Sequence, residues 1–323
     1  MKPFTFSIIA VLMLGMVTAN AQDAAGIPQP LTQAIPAQPP ASENYQINFV
    51  PQTPASVFFV QTDAMFLHLG GSAGHNIPYA DFDQDDAKTP LSQIADGRYR
   101  VVPRLAIGEV FSDGTGWEAI YFGRNDWQKS STMTGLDETQ AVSMSSSLHS
   151  GEVNSLNPIG FLPGAQFLLG IRSVHFGERL LLAESEFGNN VSSGVTNNLF
   201  GGQIGTRYSH DWRRLNLTAT GKVGVYDNFV IGHQYGAISN GAGFDTIDNS
   251  SHTNRVSFIW DLSLISAYRI NDAWTFRAGY QLLWLDGVAR AATQVNDTGF
   301  VGNVSPVNSA FLHGPTAGFE LRF

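Results

Sequence analysis

The stretch that decides the fold is the last one, "FLHGPTAGFELRF" (311–323). Counted back from the end, every second residue is Phe323, Leu321, Phe319, Ala317, Pro315, His313 and Phe311, a mostly apolar series. The interleaved residues are Arg322, Glu320, Gly318, Thr316, Gly314 and Leu312, mostly small or charged. A period of two is the signature of a β-strand with one greasy face. Few polar residues trail behind it, so the face is expected to meet a partner, and lipid is the expected one.

Working back along the chain, the same alternation recurs. In "VFFVQTDAMFLHL" (57–69), Phe58, Val60, Ala64 and Phe66 oppose Gln61, Asp63 and Met65. Further strands are expected over 99–108, 117–127, 166–176, 198–210, 213–226, 255–269 and 273–285, with a weaker one near 145–157. With the first and last strands the expected number is ten, within a range of eight to twelve. The connections run long, short, long, short. The long ones are 70–97, 129–144, 178–196, 227–253 and 287–310, and the short ones are 112–115, 158–163, 211–212 and 271–272. Short turns at one end, long loops at the other and an even strand count predict an antiparallel up-and-down transmembrane β-barrel. A soluble β-sandwich is the competing fold, but it explains neither the alternation of connections nor the aromatics. Phe111, Trp117, Trp212, Tyr268, Trp274 and Phe323 gather near the short-turn end. Tyr99, Trp127, Phe258, Trp260, Trp284 and Phe311 gather near the other. Two such girdles mark two membrane interfaces.

Composition agrees. Charged residues are 14% of the chain and aromatics 11%, against ~25% charged in soluble domains. The net charge of −9 without a basic run excludes a nucleic-acid partner. With no cysteine there is neither a disulfide nor a lipoprotein anchor site. The opening "MKPFTFSIIAVLMLGMVTANAQ" has the charged start, short apolar run and small-residue site of a signal peptide, expected over 1–21 with cleavage near Ala21. Residues 22–55, rich in Pro, Ala and Gln, read as a periplasmic linker, and 56–323 as the barrel. The expected location is the outer membrane of a Gram-negative-type envelope, with lipid as the surrounding partner and a monomer favoured.

Several of these segments also resemble a known family: "GIRSVHFGERL", "LFGGQIGTRYSHDWRRLNLTATGKVGVY", "RVSFIWDLSLISAYRINDAWTFRAGYQLLWLDGVAR" and the final "FELRF". They are similar to the beta-barrel porin-7 family, found chiefly in planctomycete bacteria. The resemblance implies an outer-membrane barrel. It assigns transport to no particular residue. The apolar positions with terminal aromatic also resemble the sorting signal read by barrel-assembly machinery, which points to Phe319, Leu321 and Phe323.

If apolar residues face lipid, the opposite face lines the lumen. That set holds Arg100, Arg104, Glu118, Arg124, Asp126, Arg172, Arg207, Lys222, Asp261, Arg277, Glu320 and Arg322, together with Asp63. Arginines along a narrow path would favour anions, which makes a porin for small solutes, anionic ones included, and ion transport the leading expectation. Alternatively the charges pair with one another and plug a small barrel, leaving a closed structural or surface-interaction barrel.

Chemistry-bearing motifs are weak. "GGSAG" (70–74), followed by His75, fits a flexible loop rather than a nucleophile elbow. Asp81, Asp83 and Asp85 begin like a calcium loop but lack its glycine and glutamate, so they are only weak metal candidates. His233, Asp248 and His252 would have to gather at the rim for an outer-membrane protease, the third function class. No enzyme activity and no cofactor are expected.

Overall fold

A strand whose two faces differ must bury or solvate each face separately, and a sheet closed on itself does so without exposing an edge. The chain takes this solution. The computed structural model describes residues 56–70, 76–78, 88–90, 99–134, 139–184, 190–239, 243–296, 299–300 and 304–323. All of them belong to the unit Gln52–Phe323.

Ten long strands form the wall. They are β1 (Ser56–Leu69), β2 (Arg100–Phe111), β3 (Gly116–Thr134), β4 (Thr139–Pro158) and β5 (Ala165–Glu184). The second half is β6 (Asn190–Trp212), β7 (Leu215–Ser239), β8 (Phe244–Arg269), β9 (Trp274–Val288) and β10 (Asn308–Arg322). Each pairs antiparallel with its sequence neighbours, and β1 closes the barrel by pairing with β10, Ala64 opposite Ala317 and Phe59 opposite Arg322. The final residue is stitched into this seam, the Phe323 amide donating to the Phe58 carbonyl at 2.9 Å. The weakly patterned segment near 145–157 lies wholly within β4.

The short turns are local chemistry. Asp113 accepts hydrogen bonds from the amide (2.9 Å) and hydroxyl (2.6 Å) of Thr115, an Asx turn. Asn271 does the same for the amides of Ala273 and Trp274. Between β6 and β7 the turn is made by Arg213 and Arg214, two residues later than expected, because Asp211 and Trp212 still pair with Asn216 and Leu215.

Three expectations are corrected. The segments 129–144, 178–196 and 227–253, read as long loops, are largely strand. β3 to β8 are 19 to 26 residues long, whereas crossing a bilayer takes roughly 9–11 tilted residues. The wall therefore continues outward as a collar. It escaped notice because its polarity is inverted: inside the membrane apolar residues point out, and beyond it they point in. On β5 the outward series passes from Phe167, Leu169 and Ile171 to Ser173, His175 and Gly177, while the inward series passes from Gln166 and Arg172 to Val174, Phe176, Leu180 and Leu182. Trp127 is the second correction. A β-bulge between Arg124 and Trp127 shifts the register by one residue, so Trp127 turns into the interior (2% exposed) instead of joining the outer girdle. The other girdle residues are on the outward face.

The third concerns 287–310. Gly287 adopts a left-handed φ of 78° at a register break opposite β10, and the chain then turns inward. A short 3₁₀ turn, Ala291–Gln294, packs inside the collar: Ala289, Ala291, Ala292 and Val304 bury against Val142, Met144, Leu180, Val195 and Val230. The Gly287 carbonyl is held by Ser257 (2.8 Å) and Asn228 (3.2 Å). A Cβ here would lie 3.0 Å from Ser257 Oγ in a backbone region that side chains disfavour. Gly287→Ala should therefore cost about 1–2 kcal/mol, read as a lower midpoint in denaturant unfolding of the refolded barrel. An unchanged midpoint would show that the chain enters the collar without needing this conformation.

Candidate functional site: the barrel interior

The inward faces stack into layers. Nearest the short turns, Asp63 accepts from Arg104 at 3.0 Å and stands 3.6 Å from Arg277 Nε. Glu320 takes Arg277 at 2.9 Å, Arg322 at 2.5 Å and the Gln61 amide at 2.7 Å. Strand register explains the grouping: Asp63 sits opposite Arg104 on β2 and Gly318 on β10, and Gly318 sits opposite Arg277 on β9. Glycine in the β10 position leaves room for arginine and aspartate to meet across it. A Cβ on Gly318 would stand 2.4 Å from Asp63 Oδ1.

On the opposite side Arg207 clasps both oxygens of Glu118 at 2.9 and 2.8 Å, and Asn154 donates to the same carboxylate. Both contacts come from one nitrogen, Nη2, and a charge-assisted pairing of this kind is stronger than a neutral hydrogen bond. Deeper in, Arg172 bridges Asp261 (2.9 Å) and Glu152 (3.6 Å). Lys222 reaches the same two carboxylates at 3.4 and 2.5 Å. Ser150, Gln203, Tyr226 and Gln281 supply further hydrogen bonds to this quartet, directly or through one another. The Arg172 guanidinium lies 5.5 Å from the Phe122 ring centroid and its side chain is fully buried.

Above the charges the interior is apolar. Met65, Leu67, Leu69, Val102, Phe122, Trp127, Leu148, Phe176, Leu199, Leu283, Leu285 and Leu312 form one buried cluster, with exposures of at most 4%. Over it lies the inward segment after Gly287, fastened by a second buried ion pair. Arg290 Nε meets Glu178 at 2.8 Å, both side chains at 1% exposure or less, and the Ala291 amide donates to the same carboxylate. Asn197 brackets the segment, donating to the Ala289 carbonyl (2.9 Å) and accepting from its amide (2.8 Å). A barrel of ten strands is narrow enough for side chains to fill it, and these do.

Below the charged layers an open chamber of about 390 Å³ faces the short-turn end, with Arg104, Arg207, Arg277, Glu320 and Arg322 on its walls.

Among the residues expected to line the lumen, Arg104, Glu118, Arg172, Arg207, Lys222, Asp261, Arg277 and Glu320 meet in these networks, with Arg322 at the chamber's mouth. Arg100 and Arg124 sit instead toward the outer end, donating to the carbonyls of Gln128 (3.3 Å) and Val101 (2.8 Å). The side chain of Asp126, residues 71–75 of the "GGSAG" motif and its following histidine, and Asp81, Asp83 and Asp85 lie outside the described residues. Phe319 and Phe323 point outward and exposed, with Leu321 between them half-buried on the same face. Sequence reasoning missed Glu152, because its strand was weak, and Glu178 and Arg290, which fell in presumed loops. The alanine-rich "GVARAATQ" (287–294) was the available signal, being too apolar for a solvated loop.

At the rim, His233 and Asp248 do meet at 3.4 Å, both exposed on the outer surface of the wall, whereas His252 lies against the Phe229 ring at 6.1 Å. The trio does not converge. Among the described residues no group of three or more His, Cys, Asp or Glu is placed to hold a metal.

No family model matches the chain, so the porin-7 resemblance is without that support, and no curated protein matches it. Several solved structures align along most of its length. The outer-membrane protease OmpT of Escherichia coli aligns at 8% identity and a TM-score of 0.45, over 84% of this chain and 98% of that one. The anion-selective porin of Comamonas acidovorans aligns at 9% identity and a TM-score of 0.18, over 83% and 100%. The outer-membrane channel DcaP of Acinetobacter baumannii aligns at 11% identity and 0.18, over 83% and 96%. At such scores the three carry no argument about function.

Proposed function

We propose that this protein is an outer-membrane β-barrel whose lumen is closed, so that it acts through its two ends and not as an open porin. One observation carries this reading: the continuous apolar layer around Leu67, Phe122, Trp127, Phe176 and Leu283, which spans the interior above the ion pairs. A path for hydrated ions needs polar groups along its whole length, and this layer offers little beyond the Trp127 indole N–H and the Tyr226 hydroxyl, the latter already bonded to Gln203. The outward collar of β3 to β8 then serves as a rigid stand for the tips beyond it, in keeping with a structural or surface-interaction role. Residence in the outer membrane is supported by the exposed apolar residues on the outward face, Leu169, Ile171 and Leu264 among them, on a wall whose closure leaves no unpaired edge in lipid. Phe319, Leu321 and Phe323 are proposed as the signal offered to the assembly machinery.

Liposome swelling tests the reading. Proteoliposomes of the refolded full chain should swell in small saccharides and in chloride or phosphate salts no faster than protein-free liposomes. Swelling that depends on protein and falls with solute size would overturn it in favour of passive passage.

A further inference from the structure

The chamber at the short-turn end is not used by the closed-lumen reading, and its charge is unbalanced. Four of its arginines are committed to carboxylates: Arg104 to Asp63, Arg207 to Glu118, and Arg277 and Arg322 to Glu320. Three more, Arg213, Arg214 and Arg269, line the same space and enter no ion pair among the described residues. Asp211 is the remaining acid on the wall, and it accepts from Asn216. Seven guanidinium groups thus face four carboxylates.

The turn carries independent testimony. Arg213 has a φ of 59°, the left-handed region, where glycine or asparagine costs the backbone less. A hairpin with only a turn to make would take one of those residues. The sequence instead places two consecutive arginines there, beside a third, with the Arg269 amide bonded to the Arg214 carbonyl at 2.8 Å.

We propose that this chamber binds a small multivalent oxyanion, a solute bearing a diphosphate group, entering from the periplasmic side. Guanidinium forks match phosphoryl oxygens in geometry. The surplus of three positive charges equals what one compact diphosphate carries, so a single group neutralises the chamber. The space ends on the ion-pair layer, so the solute is held and not passed on. Its walls are inward faces of β1, β2 and β5 to β10, which puts a soluble anion within reach and keeps bilayer headgroups out. The site does not depend on the closed lumen, because binding and permeation are separate readouts.

Titration calorimetry tests it, with inorganic pyrophosphate added at low ionic strength to the refolded full chain in non-ionic detergent. Saturable binding at one site per chain is expected. Arg213→Asn, which suits the left-handed turn, and Arg269→Gln should each weaken it at least tenfold while leaving the thermal midpoint unchanged or, for Arg213→Asn, raised. Arg255→Gln, exposed on β8 away from the chamber, should bind as the parent does. Raised salt should weaken binding in the parent. No saturable binding, or equal loss in Arg255→Gln, would overturn the proposal. Should either chamber variant fail to refold, the chain with Arg322→Gln, whose side chain is half exposed at the mouth, provides the same comparison.

Discussion

Arg172→Ala is expected to be the most damaging single substitution in the barrel, costing about 3–5 kcal/mol, the usual penalty for removing one partner of a buried ion pair. Asp261 and Glu152 would be left to share Lys222, and Ser150 would lose the guanidinium that donates to it. The vacated volume beside Phe122 adds a cavity to an unpaired charge. Arg172→Lys keeps the charge but loses the Nε–H that donates to Ser150 and the flat guanidinium against the Phe122 ring, so it should fall between parent and alanine. Denaturant unfolding in detergent, followed by tryptophan fluorescence and by heat-modifiable gel mobility, gives the ranking. Arg255→Ala, at an exposed position on β8, should stay within about 0.5 kcal/mol of the parent. A loss at Arg172 no larger than that would mean the central quartet is not a stabilising unit.

Glu178→Ala should release the inward segment without dissolving the barrel. It strands Arg290, almost fully buried against the Phe176 ring, with the Ser309 carbonyl as its remaining hydrogen-bond acceptor. It also removes the acceptor of the Ala291 amide. The penalty of about 3–5 kcal/mol for an uncompensated buried charge falls on one docked segment, which can escape it by undocking into water. Limited proteolysis should then cut within 289–307 in the variant and spare the parent, while gel mobility still reports a folded barrel. Replacing both members, Glu178→Leu with Arg290→Leu, should restore much of the resistance, because apolar residues of similar volume often substitute for a buried pair without net loss. Equal resistance in parent and Glu178→Ala would show that the apolar contacts of Ala289, Ala291 and Val304 hold the segment unaided.

Much of this barrel could be read from the sequence within the membrane, and little of it above. The period-two signal is clean where one face meets lipid, as in β1, β5 and β10, since lipid selects Phe, Leu, Ile and Val at alternate positions. Above the membrane the outer face meets water and the inner face is apolar, so β4, with Ser143, Ser145 and Ser147 outward and Val142, Met144 and Leu148 inward, reads as a polar loop. Bulges are equally silent. Nothing in "GRNDW" marks the extra residue that turns Trp127 inward. Individual inward charges could be listed from parity alone, but their partners could not, because Arg172 and Asp261 are 89 residues apart and meet only once the barrel is closed. The arginines of the chamber were hidden for another reason: Arg213 and Arg214 stand in a turn, where alternation says nothing about direction.

The central claim, a lumen sealed by side chains, is met most directly by single-channel recording of the refolded full chain in planar bilayers, after heat-modifiable mobility has established that it is folded. The closed barrel should stay electrically silent in chloride and phosphate salts at either polarity. Discrete, reproducible conductance steps from the folded parent chain would contradict it, and a preference for anions in those steps would point to the arginines of the interior as the lining of a true path.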